Sequence, residues 1–468
     1  MMDKYDLIVI GSGPGGYVAA IKAAKLGKRT ALIEKRDIGG TCLNRGCIPT
    51  KTLMHSTRFL SEARSMEEAG ISFTGISLDY DKLMERKDEV VARIQKGIEG
   101  LLKGNGVTVL QGAACIIDPG LVKIEANGDR TDIQADNILI ATGSVPLIPN
   151  IPGKDLENVF TSDHLLSGQA RLYNKLIIIG GGVIGVEMAS IYNELGCDVE
   201  IIEAMDRILS GMDKEISQSI SMGLKRKGVT IHTRAKVTNI KESDGLVCEY
   251  IEKDKPKTSQ ADGILLSVGR QANTEGLFGQ GLSPEMDGSC IKVNADFETS
   301  IPGVYAIGDV IRGKQLAHAA SAQGIVAVER ICGLTPSIDL EIIPSCIYTA
   351  PEVATVGMDE AEAKEAGYQV KVGKYPMLGN SKTLLSMGER GFIKLVCQAD
   401  TGRILGAQLL CDRATDMIGE LGLAISKKLT SKDLASIIRP HPTYEEAITE
   451  AADDIEGMAI HIMPRRVL

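Results

Sequence analysis

Residues 5–16, Tyr5-Asp-Leu-Ile-Val-Ile10-Gly11-Ser-Gly13-Pro-Gly-Gly16, set an apolar run directly against a cluster of glycines. The run reads as a buried strand of a parallel sheet. In a turn of this kind the first glycine permits the tight bend and the second lets the backbone approach a pyrophosphate. The third allows close packing of helix on strand. The alanine-rich stretch that follows reads as a helix ending at Gly27, and the next strand ends in Glu34. Phosphates would meet the helix N-terminus and Glu34 a ribose hydroxyl, which is the layout of a dinucleotide-binding βαβ unit.

The same layout returns later in the chain. Lys175-Leu-Ile-Ile-Ile179 leads into Gly180-Gly-Gly182-Val-Ile-Gly185. Gly27 and Gly196 each lie 16 residues after the first glycine of their copy, and Glu34 and Glu203 each lie 23 after it. Leu102-Lys-Gly-Asn-Gly-Val107 resembles Leu224-Lys-Arg-Lys-Gly-Val229, and the closing strands Ile138–Gly143 and Ile264–Gly269 both end in glycine. An imperfect duplication of one nucleotide-binding domain accounts for these matches. A carboxylate at Glu203 repels a 2′-phosphate, and the nearest arginine is Arg207, so the second site is expected to prefer NAD over NADP.

Just beyond the first copy's Glu34 comes Gly39-Gly-Thr-Cys42-Leu-Asn-Arg-Gly-Cys47-Ile-Pro-Thr-Lys51. Positions five apart lie about 140° around a regular α-helix, so bringing these two thiols together demands distorted backbone, which Gly46 can help supply. A loop this short gains roughly 2 kcal/mol from a disulfide in the chain-entropy model, a modest return for a purely structural staple. A strained, accessible pair is the labile kind that stores two electrons. A flavin can exchange electrons with sulfur and hydride with nicotinamide. Two nucleotide sites and one dithiol therefore imply FAD in the first site, next to the cysteines, and NAD in the second.

At 468 residues the chain is expected to split into two to four domains. With 44% hydrophobic and 24% charged residues it has the composition of an ordinary globular protein. A net charge of −9 and the lack of a dense basic run argue against a nucleic-acid partner. The N-terminus lacks the basic-then-apolar layout of a signal peptide, and the longest apolar run, Leu176 to Val186, is about half a membrane span, so no membrane association and a cytoplasmic location are expected. The other eight of the ten cysteines are scattered singly, and no Cys/His cluster has zinc spacing, so no metal site is expected. A long helix is expected over Asp79 to Lys103. From about Cys346 the texture changes to strands such as Phe392–Val396 and Ile404–Leu410 alternating with helices such as Asp416 to Lys428, an α+β domain.

On the segment 39–51, Ala141-Thr-Gly143, Gly308-Asp309 and His441-Pro-Thr-Tyr-Glu-Glu446, the chain resembles the pyridine nucleotide-disulfide oxidoreductase family over essentially its whole length, and within it the enzymes that oxidise dihydrolipoyl groups. The resemblance implies an α/β fold with two Rossmann-like domains, binding FAD and NAD, and a C-terminal α+β dimerisation domain. The implied boundaries are 1–147 for the FAD domain, 148–272 for the NAD domain, 273–345 for a central domain completing the FAD site and 346–468 for the interface domain. It further implies that Cys42 attacks the lipoyl disulfide, that Cys47 faces the flavin, and that Lys51 lies near the flavin N5, paired with Glu187. Gly11, Gly13, Gly16, Glu34, Thr41, Thr142, Gly143, Asp309 and Ala317 would join Lys51 in the FAD site, with Asp309 on the ribityl chain. Gly180, Gly182, Gly185, Glu203 and Gly269 would form the NAD site.

His441 would be the base that deprotonates the dithiol, oriented by Glu446, and in this family it reaches the active site of the other subunit of a homodimer. The implied substrate is a dihydrolipoyl group on a separate protein, a lipoyl domain or a glycine-cleavage H protein. The enzyme would then be the third component of a 2-oxoacid dehydrogenase, acetoin or glycine-cleavage complex. A first strand beginning near Asp6 leaves no room for a fused lipoyl domain, and the tail 460–468 lacks the cysteine pair of mercuric reductases. Gly269-Arg-Gln-Ala-Asn273 departs from the family, which usually has proline before this asparagine. The competing readings are a related reductase of small disulfides, whose glutathione-type members favour NADP, and a non-catalytic assembly subunit, against which the intact cysteine pair stands.

Overall fold

In the computed structural model, which describes residues 3–168 and 171–463, the opening apolar run is the strand β1 (Lys4–Ile10). The expectations for the first two residues and for the tail beyond 463 lie outside the described residues. The chain divides into two compact units: Met1–Gly180 with Thr238–Glu249 and Thr258–Leu340, and Gly181–Val237 with Tyr250–Lys257 and Glu341–Leu468.

In the first unit, β1 is followed by α1 (Pro14–Lys25), β2 (Thr30–Glu34), α2 (Gly40–Arg45), α3 (Cys47–Ser65) and α4 (Tyr80–Gly104). Next come β3 (Thr108–Gln111), β4 (Ala113–Asp118), β5 (Leu121–Ala126), β6 (Asp129–Ile140) and β7 (Ser144–Pro146). The long helix expected over Asp79 to Lys103 is α4, and Asp79 caps it by accepting from the Lys82 amide at 3.1 Å.

The strands β3, β2, β1 and the end of β6 pair in parallel, and Val304–Ala306 adds to the far side of β6. Val9 sits opposite both Leu32 and Leu139, so side chains of like size stack across the middle of the sheet. Burial on both faces explains why these strands read as continuous Ile, Leu and Val rather than as an alternation. The first half of β6 instead pairs antiparallel with β5, and β5 with β4, a meander growing from one strand. The same unit holds a second set of parallel strands, Lys175–Ile179, Gly263–Leu266 and Val159–Thr161. The short strand Arg270–Ala272 pairs antiparallel with β7.

In the second unit the helix Val183–Glu194 leads to the parallel strands Asp198–Glu203 and Thr230–Thr233. Its C-terminal part is a five-stranded antiparallel sheet in the order Ser345–Ile347, Glu352–Gly357, Ile404–Cys411, Phe392–Gln398 and Val370–Pro376. Helices Ala414–Ser426 and Glu446–Asp454 bury Leu421 and Ile448 in the core formed with this sheet. The first of them begins two residues before the expected Asp416. Buried Lys394 reaches Asp213 at 2.6 Å and Glu215 at 3.1 Å, and Asp213 also caps the helix Lys214–Arg226. The α/β class with an α+β C-terminal part matches expectation. Among the described residues no helix is long and apolar enough to cross a membrane.

Gly11 shows how tightly the first turn is constrained. Its φ is +99°, and a Cβ there would stand 2.5 Å from the carbonyl oxygen of Ala141. Gly11→Ala combines left-handed strain with overpacking against backbone, and is expected to cost roughly 3 kcal/mol. Urea denaturation monitored by circular dichroism would read this as a lowered midpoint, and an unchanged midpoint would contradict it.

Candidate active site

The two glycine turns repeat one another down to single contacts. Gly16 is as constrained as Gly11, since a Cβ on it would lie 1.8 Å from the Gly11 oxygen. At Gly13 a Cβ would meet nothing within 4 Å. Protein packing therefore does not explain the bare backbone at Gly13, whereas a pyrophosphate resting on the N-terminus of α1 does. In the second copy Gly180 has φ +109° with Ser267 O 2.5 Å from its ideal Cβ, and Gly182 again faces open space. Gly182 precedes the helix Val183–Glu194, in which Gly185 is buried.

The strand-end carboxylates follow the same rule. Glu34 Oε2 accepts from Ser12 N at 2.9 Å and its Oε1 from Arg36 N at 2.8 Å. Glu203 Oε2 accepts from Gly181 N at 2.6 Å and its Oε1 from Met205 N at 2.7 Å. Each carboxylate is oriented by backbone amides at the end of its strand. Arg207 donates to the Ser210 carbonyl and pairs with Asp206, so it is engaged away from the role of a 2′-phosphate ligand.

Around the first turn, several residues fit FAD. Thr142 Oγ1 is buried without a hydrogen-bond partner, an expensive state for a hydroxyl unless a ligand group completes it. Asn273 donates to Thr142 O at 3.2 Å and to Gly143 O at 2.9 Å, so the segment is clamped even with alanine in place of the usual preceding proline. Gly143 and Gly269 adopt φ of +69° and +132°. Asp309 Oδ2 accepts from Ser144 Oγ at 2.6 Å, and Arg270 Nε donates to that same hydroxyl at 2.7 Å. Ala317 opens the helix Ala317–Ile331, which crosses α1 closely: a Cβ on Gly324 would be 2.6 Å from Gly15 O. Ser321 Oγ donates to Pro14 O at 3.2 Å, which sets the two helix N-termini side by side.

The cysteines straddle a helix break. Cys42 lies in α2, Cys47 begins α3, and Gly46 between them, at φ −146° and ψ −113°, belongs to neither helix. The distortion expected at Gly46 is present, and a Cβ there would press to 3.0 Å from Thr41 O. Gly39 and Gly40 turn the chain with φ of +97° and +61°. Gly40 rests on the fingerprint, since its Cβ would be 2.7 Å from Gly13 Cα. Cys42 and Cys47 are half-buried, and their side chains hydrogen-bond to one another. That bond, and after it burial, pushes the Cys42 thiol far above its ordinary value, while the Lys51 charge pulls it down. Lys51 lies on α3 one turn beyond Cys47.

His441 precedes a cis proline, Pro442. Its Nδ1 is 2.9 Å from Glu446 Oε1, and Glu446 Oε2 accepts from Thr443 N at 2.9 Å. Burial raises the Glu446 carboxyl, but the Thr443 amide, the His441 ring and the charges of His441 and His461 outweigh it, so the group is held below its ordinary range. With Nδ1 donating to this carboxylate, Nε2 is left as the basic nitrogen, on a side chain that is 69% exposed. Glu187 is buried on the helix Val183–Glu194 and accepts from the Tyr348 amide at 3.1 Å.

Two residues of the first site, Ser12 and Ser144, carry no motif and escaped sequence reading. Comparing the two copies position by position finds Ser12, because Gly181 stands at its place. Nothing local marks Ser144, whose partner Asp309 is 165 residues away.

The family model described as pyridine nucleotide-disulphide oxidoreductase matches residues 5–324, and that of the family's dimerisation domain matches 343–452. A dihydrolipoyl dehydrogenase of Bacillus subtilis is 41% identical, with 98% of this chain and 100% of the relative covered. The mitochondrial dihydrolipoyl dehydrogenase of Dictyostelium discoideum is 38% identical, with 98% and 96% covered. Among solved structures, LpdA from Mycobacterium tuberculosis superposes with a TM-score of 0.88 at 27% identity, covering 97% of this chain and 99% of that one. The HOCl-induced flavoprotein disulfide reductase RclA from Escherichia coli gives 0.85 at 28%, covering 96% and 99%.

Proposed function

The chain belongs to the pyridine nucleotide-disulphide oxidoreductase family, and we infer that it oxidises protein-bound dihydrolipoyl groups and reduces NAD. The observation that carries this reading is the hydrogen-bonded Cys42–Cys47 pair, set across a helix break and seated on the first glycine turn. Bound FAD and NAD supply the electron and hydride transfer that returns the reduced cysteine pair to its disulfide.

The chain's own residues handle the sulfur chemistry. His441 of a second copy removes the proton from one substrate thiol, Glu446 holding Nδ1 so that Nε2 receives it. The thiolate attacks Cys42 Sγ of the oxidised pair, the Cys42–Cys47 bond breaks, and Cys47 leaves as thiolate. The second substrate thiol, once deprotonated, attacks the substrate sulfur of this mixed disulfide, and Cys42 leaves. The products are the oxidised cyclic disulfide and the enzyme dithiol, so two electrons have moved from substrate to protein. Cys47 opens the 19-residue helix α3, whose positive end favours negative charge there. Lys51, with Glu187 as its proposed partner, would place a cation beside the flavin.

In the first site Gly11, Gly13, Gly16, Glu34, Thr41, Thr142, Gly143, Asp309 and Ala317 would hold FAD. Gly180, Gly182, Gly185, Glu203 and Gly269 would hold NAD. The domain division 1–147, 148–272, 273–345 and 346–468 follows from these assignments, with the last part forming a homodimer that completes each site. The proposed partner is a lipoyl-bearing protein, and the proposed location is the cytoplasm.

Steady-state assays with dihydrolipoamide, reduced glutathione, NAD and NADP test the reading. Turnover is expected with dihydrolipoamide and NAD, and absence of that turnover in the FAD-loaded protein would sink it. The charge at Glu203 should favour NAD by at least about 100-fold in kcat/KM, the scale of a carboxylate set against a phosphate. Glu203→Gln removes the repulsion and is expected to narrow that ratio at least about tenfold; an unchanged ratio would release Glu203 from the role.

A further inference from the structure

In the first copy one buried hydroxyl joins the strand-end carboxylate to the cysteine loop. Ser12 is 0% exposed. Its Oγ donates to Glu34 Oε2 at 2.6 Å and accepts from the Gly39 amide at 3.1 Å. Gly39 is the N-cap of α2, in which Cys42 is the third residue. From the carboxylate to the attacked sulfur the contacts therefore run through Ser12, Gly39 and less than one turn of helix.

The second copy serves as an internal control. Gly181 stands at the place of Ser12, and its amide makes the equivalent bond to Glu203 without any hydroxyl. No cysteine loop follows Glu203. In the copy that has no loop to anchor, the strand-end carboxylate is thus oriented by the backbone amides of Gly181 and Met205, with no hydroxyl at the place of Ser12. The extra hydroxyl occurs in the copy that has one.

We propose that Ser12 is a positioning residue that couples FAD binding at Glu34 to the setting of the loop carrying Cys42. The proposal rests on the reading above that this site holds FAD and that Cys42 is the attacked sulfur. A ribose hydroxyl donating to Glu34 draws on the same carboxylate that receives the Ser12 hydroxyl. A change in that bond passes directly to the Gly39 amide, which has a buried oxygen as its acceptor. Coupling of this kind is reciprocal, so the state of the loop also bears on how firmly the nucleotide is held.

The test compares wild type, Ser12→Ala and Ser12→Gly as FAD-loaded holoenzymes. One readout is the rate of iodoacetamide alkylation at Cys42 after reduction with dithiothreitol, followed by peptide mass spectrometry. The other is the rate of FAD release in dilute urea, followed by flavin fluorescence. Both rates are expected to rise together in both variants, by about three- to tenfold, the scale of one buried hydrogen bond. Faster FAD release with unchanged alkylation would assign Ser12 to the nucleotide alone and overturn the proposal. Faster alkylation with unchanged release would overturn it from the other side, and so would no change in either. Ser12→Gly carries the residue that the second copy tolerates at this turn, so it decides the matter if Ser12→Ala does not fold. Wild-type protein without dihydrolipoamide activity would refute the functional reading, whereas the thiol and flavin rates judge Ser12 independently of turnover.

Discussion

Replacing Cys42 with serine is expected to lower dihydrolipoamide oxidation by about 10⁴-fold or more, the scale seen when a covalent nucleophile is removed. A hydroxyl cannot form or exchange a disulfide, so neither the oxidised pair nor the mixed disulfide exists in the variant. The substitution should leave the fold intact. Cys42 is half-buried on a short helix, and the sites around Gly11, Glu34 and Thr142 do not depend on its sulfur. The variant should therefore purify with FAD bound and show a normal flavin spectrum. A variant that keeps turnover within tenfold of wild type would remove Cys42 from the mechanism. Loss of FAD together with turnover would point to a structural role instead.

His441→Gln is the second large effect, expected at about 10²–10⁴-fold in kcat/KM, the range for losing a general base. Glutamine keeps a polar side chain of similar reach beside Glu446 but cannot accept the substrate proton. The loss should shrink as the pH rises, because substrate thiols then ionise unaided. A structural role would instead give a loss independent of pH. The pH dependence of the pair also has a defined sign. Glu446 is held below its ordinary carboxyl value, so its bond to His441 is present at neutral pH and is lost as pH falls through that lowered value. Measurement of kcat/KM for wild type and variant across pH 5.5 to 9 decides between these outcomes, and a constant ratio would reject His441 as the base.

Much of the site was legible because its chemistry is local. The glycines at 11, 13 and 16 and at 180 and 182 announced themselves by spacing; Gly11, Gly16 and Gly180 are explained by a backbone angle or a close contact at the turn, whereas Gly13 and Gly182 face open space. The helix break between Cys42 and Cys47 followed from the geometry of five residues. The His441–Glu446 pair was not legible from spacing alone, since a His-Pro-Thr turn read by itself is more often structural; it came from the family resemblance, and the structure sets the two side chains 2.9 Å apart. Ser144 was not readable at all. Its significance lies in meeting Asp309 and Arg270, and neither meeting leaves a trace in the residues around position 144. Lys394 was hidden in the same way, inside a strand whose pattern gives no reason to expect a buried ammonium ion facing Asp213.

The amino-acid order alone determined the duplicated strand–glycine–helix pattern and the close spacing of Cys42 and Cys47. Those properties depend on φ angles, strand periodicity and short spacings, which neighbouring residues impose on one another. Tertiary structure decided which side chains close the circuits between them: Ser12 with Gly39, Ser144 with Asp309, Lys394 with Asp213. Such contacts exist because sheets bring distant strand ends into register, and a hydrogen bond forms only where packing has already delivered both partners to within about 3 Å.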